Sequence, residues 1–161
     1  MGNSNSVAAV DTEANNLIPH DMSKEEFREQ IIEMEAHMKA LPVEDHIESP
    51  LFHYFAPGMY VREIHMPKGA VIIGKIHKHA HVNIISKGLV DVVTENGSAT
   101  YEAPYTFVSE PETKRFVHIL EDTIWSTVHA VDSEDLEKIE VDLIMPNYES
   151  LLNKDDDGGG S

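Results

Sequence analysis

Cysteine is absent from the 161-residue chain. That excludes disulfides, thiolate metal sites and cysteine nucleophiles, and it fits a reducing compartment. Positive charge is scarce: 12 Lys and Arg stand against 29 Asp and Glu, a net of −17. Such a field repels phosphate backbones and removes the electrostatic basis of nucleic-acid binding. It favours cations, basic partners and ligands poor in negative charge. No run approaches the roughly 18 apolar residues of a membrane span, and the first residues, MGNSNSVAAVDTEANN, lack the charged and apolar regions of a secretory signal. No phosphate-cradling glycine loop and no Gly-x-Ser-x-Gly elbow occurs.

What is present divides the chain into four parts: a polar N-terminal arm over 1–21, an amphipathic helix over 22–42, a β-rich body over 46–146 and an acidic, Gly-rich tail over 147–161. Ser23-Lys24-Glu25-Glu26 is a capping box. Phe27, Ile31, Met34, Met38 and Leu41 then follow at helical spacing, and Pro42 stops the helix. From Leu51 onward short β runs alternate with turn residues, which argues for a sandwich or small barrel. Lys87-Gly88 reads as a turn between two strands, and Asn96-Gly97 as a hairpin. Arg115 to Leu120 and Thr123 to Ala130 read as two further strands. Ser133 to Glu137 has the length of one helical turn, with a last strand over Ile139 to Met145.

The informative segment is Gly74-Lys75-Ile76-His77-Lys78-His79-Ala80-His81-Val82-Asn83. On a regular strand His77, His79, His81 and Asn83 project to one side. Imidazoles on one face of a curved strand suit Zn, Fe, Ni, Cu or Mn, in an all-nitrogen and oxygen site. A cluster of solvated, pH-responsive histidines is the bland alternative. Trp125, Thr127 and His129 share one face of a later strand and either line the barrel or pack on the helix.

These residues resemble a cupin, a small β-barrel whose first motif carries His-x-His, an acidic ligand and a closing Gly, and whose second motif supplies another His. His77-Lys78-His79 matches the first pair, Asn83 stands where the family has Glu, Gly88 lies near the closing Gly, and His118 matches the last ligand. Gly58 to Glu63, Gly74 to Lys78, His81 to Ile84, Ala103 to Ser109 and Glu121 to Trp125 with His129 are similar to small cupin-like proteins encoded by bacteriophages. The resemblance implies a mainly β, cupin-type barrel or jelly roll with an N-terminal α-helix. It also implies a divalent transition metal (Fe, Mn, Ni or Zn) on His77, His79, His81 and His118, and a homo-oligomer paired through edge strands and swapped N-terminal segments. The leading expectation is a structural or binding component of an oligomeric assembly, virion-associated proteins among its partners, in host cytoplasm or virion, without nucleic acid or membrane. The alternatives are a mononuclear metal enzyme, oxygenase or isomerase, and a small-ligand sponge or sensor.

Overall fold

The computed structural model describes residues 22–146 and the backbone of 6–8. The expected arm and tail otherwise lie outside the described residues. The chain is mainly β and antiparallel, with α1 (Lys24–Ala40) ahead of the body and β1 (Ser6–Ala8) preceding it. The body runs β2 (Leu51–Ala56), β3 (Met59–Met66), β4 (Val71–Ile73), β5 (His81–Thr94), β6 (Gly97–Glu102), β7 (Tyr105–Ser109), β8 (Phe116–Ala130) and α2 (Leu136–Leu143). Among the described residues no helix is long and apolar enough to cross a membrane.

Two long strands organise everything. β5 and β8 pair along their whole length, from Val82 with Val128 to Val93 with Phe116. Their pairing slips between Ile85 and Lys87, between Lys87 and Leu89, and between Leu89 and Val90. Bulges of this kind bend and twist a strand pair. On one side of the bend the order is β2–β3–β8–β5–β7. On the other it is β1–β4–β8–β5–β6. Two sheets therefore share two bent strands and face each other across a common interior. The sequence breaks at Lys87-Gly88 and between Leu120 and Thr123 are the bulged bend of continuous strands, where the sequence led us to expect turns. Gly88 makes the bend at φ 108°, and a Cβ there would stand 2.1 Å from Thr123 Oγ1.

α1 forms as the capping box dictates. Ser23 Oγ accepts the Glu26 N–H at 3.2 Å, and Glu26 Oε2 accepts the Ser23 N–H at 3.2 Å. Its buried residues Phe27, Ile31 and Met38 pack on Val71, Ile73, Val93 and Phe116, the outer face of the second sheet. Burying each large side chain contributes roughly 1.5–3 kcal/mol. Lys114, itself buried, donates to Glu35 at 3.1 Å and pins the helix to the strand entry. The interior core, with Ile85, Val90, Val117, Ile119 and Trp125, fills the bend.

The end of the body differs from expectation. Leu136–Leu143 is a helix where the sequence suggested a single turn followed by a strand. Asp135 caps it, accepting the Glu137 N–H at 3.0 Å. Leu136, Ile139 and Leu143, spaced three and four apart, lie against Tyr60 and Phe55. The helical period was readable there, but the Ile and Val content favoured the strand.

Candidate functional site: a three-histidine cluster beside a cationic cavity

The first sheet turns alternate residues inward. β5 contributes His81 and Asn83, β8 contributes Trp125, Thr127 and His129, and β3 contributes Tyr60 and Arg62. The segment between β4 and β5 closes over this face. It is held by pairs of backbone hydrogen bonds: the Met145 N–H to the Ile76 carbonyl at 2.9 Å, the Lys78 N–H to the Leu143 carbonyl at 2.7 Å, and the Glu112 N–H to the His77 carbonyl at 2.9 Å. His77 forms a lone bridge with Ile144 and does not belong to β5.

That local structure decides the histidines. His77 and His81 have ring centroids 4.2 Å apart. His129 joins them, 5.2 Å from His77 and 4.9 Å from His81. His79 is exposed, because the chain bends at Lys78 and His79 and the expected regular alternation starts only at His81. His118 lies elsewhere. It pairs with Val71 and Asp91 on the face shared with Phe116, under the helix side of the second sheet. The expected set of His77, His79, His81 and His118 is thus split, and the third ring beside His77 and His81 is His129. The shared face of Trp125, Thr127 and His129 was the signal for it.

The rings are held neutral at pH 7. Burial and the neighbouring His81, His129, Arg62 and Arg115 push the His77 pKa down to about 2. Burial, then His81 and Arg62, brings His129 to about 4. Burial also lowers His81. Neutral imidazole is the metal-binding form. His77 Nδ1 is buried with no hydrogen-bond partner. The His81 Nδ1 lies 3.4 Å from the His79 carbonyl, and His129 Nε2 is 3.0 Å from Thr127 Oγ1. In number and chemistry these groups fit a metal ion. Among the described residues, however, no group of three His, Asp or Glu side chains stands ready-arranged around one. The cluster has the right spacing of rings, and its nitrogens would have to turn toward a common point.

Asn83 is engaged in cross-strand hydrogen bonds. Its Oδ1 accepts the Trp125 indole N–H at 2.9 Å, and its Nδ2 donates to Ser109 Oγ at 2.5 Å. Ser109 Oγ also accepts from Arg115 Nη2. Asn83 therefore ties β5, β7 and β8 together and offers no charge to an ion. Glu121 and Asp122 are exposed at the bend, away from the cluster.

The cavity beside the cluster opens to solvent. Arg62, Lys75 and Arg115 line it together with His77, His81 and Trp125, and among the described residues no carboxylate does. A second cavity also lined by His77 is bounded by α2 and holds Glu140, which pairs with Lys75. Arg62 borders both, and its Nη2 is buried without a hydrogen-bond partner. Leaving a buried polar group unpaired costs roughly 1–3 kcal/mol, and more for a charged one. Burial pulls both guanidiniums below their ordinary range, and a guanidinium keeps its proton in proteins at pH 7. Among the described residues the charged side chains of this wall are cationic, in a chain whose net charge is −17.

No family model matches the chain, and no curated protein sequence does. Among solved structures it is similar to a cupin-2 domain protein from Shewanella frigidimarina, at 10% identity and TM-score 0.43, over 59% of this chain and 98% of that one. It is similar to an RmlC-like cupin with a double-stranded β-helix fold from Methanocaldococcus jannaschii, at 14% identity and TM-score 0.44, over 56% and 86%. It is also similar to an acetylacetone dioxygenase from Acinetobacter johnsonii, at 17% identity and TM-score 0.41, over 51% and 58%.

Proposed function

We propose that this chain is a cupin-type barrel that holds a divalent transition metal on His77, His81 and His129 and faces it to a small molecule in the barrel cavity. The carrying observation is the cluster of three neutral imidazoles at the cavity wall. With metal–nitrogen bonds of about 2.0–2.1 Å, three rings around one ion have centroids about 4.5–5 Å apart, close to the spacing here. A metal bound there supplies Lewis-acid chemistry. The protein supplies the imidazoles, the apolar wall formed by Trp125, and two fixed guanidiniums. Turnover by an oxygenase or isomerase and plain binding by a sensor both begin from this site.

The test is metal content by elemental mass spectrometry on tag-free protein, before and after loading with Fe, Mn, Ni or Zn. Near-stoichiometric metal in the wild type, lost from His77→Ala/His81→Ala and from His129→Ala, is the expected result. A folded wild type that retains none of the four metals overturns the reading.

A second reading, a structural component of an oligomeric assembly such as a virion, rests on a different observation. On the outer face of the first sheet, Tyr54, Val61, Val128, Val82 and Val108 stand side by side in register across five strands. Tyr54 is 52%, Val82 37% and Val108 62% exposed. A continuous apolar row on a sheet face marks an interaction surface, and a second copy of this chain is the partner we assign to it.

A further inference from the structure

We infer that the cavity beside the three histidines is built for a small organic carboxylate, held by Arg62 and Arg115 with its hydrocarbon body against the apolar wall. This rests on the reading of that cavity as the ligand site and names the class of ligand.

The argument starts from charge. Acidic side chains outnumber basic ones by more than two to one in the chain. Among the described residues the cavity wall nonetheless holds three cations and no carboxylate. A random draw from this composition would give the opposite sign. Lys75 is paired with Glu140, whose charge also reaches Arg62, but neither arginine makes an ion pair with an acidic side chain among the described residues. Arg62 Nη2 is buried with no acceptor at all. Arg115 spends one donor on Ser109 and lies 5.8 Å from the Phe107 ring centre. A guanidinium presents a planar fork of five donors, so both keep N–H groups free for an anion.

Position gives the second part. Arg62 is near enough to His77 and His129, and Arg115 to His77 and His81, to act on them electrostatically. An anion between the two guanidiniums therefore lies beside the cluster. The rest of the wall includes Ile64, Met66, Ile72, Val117 and Trp125. Such a wall takes up hydrocarbon and leaves a phosphate's further oxygens without donors. A carboxylate matches a guanidinium fork with two oxygens and lets the apolar remainder meet the wall.

The same charges couple the ligand to a metal. A divalent ion on three neutral imidazoles beside two guanidiniums meets repulsion that a bound carboxylate relieves. Each then tightens the other by the same factor.

The experiment is calorimetric titration of the full chain, chelator-stripped and zinc-loaded, with benzoate, butyrate, benzamide and inorganic phosphate. Expected is binding of benzoate or butyrate at least tenfold tighter than benzamide and than phosphate. Zinc should strengthen it, and Arg62→Gln and Arg115→Gln should each weaken it tenfold or more. Circular dichroism checks that the variants fold, and the benzoate-to-benzamide ratio on the wild type needs no variant. Benzamide binding as well as benzoate, phosphate binding better than both carboxylates, or folded arginine variants binding like the wild type overturns the inference. If none of the probes binds while zinc is held by the wild type and lost from His77→Ala, the carboxylate inference fails and the metal reading stands. If zinc is not held either, both fail.

Discussion

The indole N–H of Trp125 donates to Oδ1 of Asn83 at 2.9 Å, from β8 to β5, in the wall of the cavity. Both residues are buried, and the asparagine amide passes the link on to Ser109 of β7. Position 83 thus carries a neutral cross-strand tie. Asn83→Leu removes both bonds and leaves the indole N–H without a partner, while Ser109 Oγ still accepts from Arg115. Leaving one buried donor unsatisfied costs roughly 1–3 kcal/mol, and a drop of that size in urea unfolding is expected. Trp125 is the only tryptophan, and its emission should change in the native baseline. An unchanged urea midpoint and spectrum would show that the tie contributes nothing.

The histidines make an acid-sensitive site. The folded state holds His77 down to about 2 and His129 to about 4, against 6.5 for the unfolded chain. Folding therefore favours the neutral rings. Their contribution is complete above 6.5 and is lost as pH falls, because the unfolded chain then binds protons the folded chain refuses. Between about 6 and 4 the two residues together steepen the loss toward ~2.7 kcal/mol per pH unit. His129→Gln should remove close to half of that slope. Urea midpoints measured from pH 7 to 4.5 on both proteins check it, and parallel curves would count against the buried neutral assignment.

Metal retention should separate His79 and His118, expected ligands that lie outside the cluster, from His129 within it. His79 is exposed on a bend and His118 lies across the second sheet. His79→Ala and His118→Ala should keep the metal of the wild type, whereas His129→Ala should lose it. Equal loss from His118→Ala, in a variant that keeps its fold by circular dichroism, would move the centre to the other face.

Much of this was legible in advance, and the rest was hidden for physical reasons. The capping box and the Phe27 to Leu41 stripe identify α1, since both are local patterns. The hairpin signal at Asn96-Gly97 also points to the right place, although the two loop residues are Glu95 and Asn96 and Gly97 already pairs with Thr94. Continuity was not legible. A Gly at Lys87-Gly88 has the same letters whether the chain turns or bulges, and only the pairing of β5 with β8 distinguishes them. The histidine set failed for a related reason. Alternation assumes a regular strand, and backbone bonds from Leu143, Met145 and Glu112 to the 76–78 segment override it. His129 was visible as one of a face-sharing trio, but its meeting with His77 is a long-range contact. The local sign of charge was invisible, because composition averages over a surface that the cavity does not share.

Gly88 tests the bend itself. At φ 108° its backbone lies where a side chain is strained. An added Cβ would also stand 2.7 Å from the Asp122 carbonyl oxygen and 2.7 Å from Thr123 Cα, both main-chain atoms that cannot swing aside. Gly88→Ala should therefore cost at least about 3 kcal/mol, combining positive-φ strain with overpacking. Calorimetric unfolding measures it. A loss below about 1 kcal/mol would mean that the bulge can relax without help from glycine.

The apolar row on the outer face carries the last prediction. Val82 and Val108 are paired neighbours on β5 and β7 at one end of the row. If two copies bury this face, Val82→Glu/Val108→Glu places four like charges in the interface of a protein already at −17 per chain. Like charges brought together in a dehydrated contact disfavour association strongly, while on an exposed sheet face the same substitutions barely touch the monomer fold. The wild type should run as an oligomer in light scattering coupled to size exclusion, and the double variant as a folded monomer. Salt should partly restore association in the variant by screening. A monomeric wild type at high micromolar concentration would leave the row without its partner and remove the support for the assembly reading.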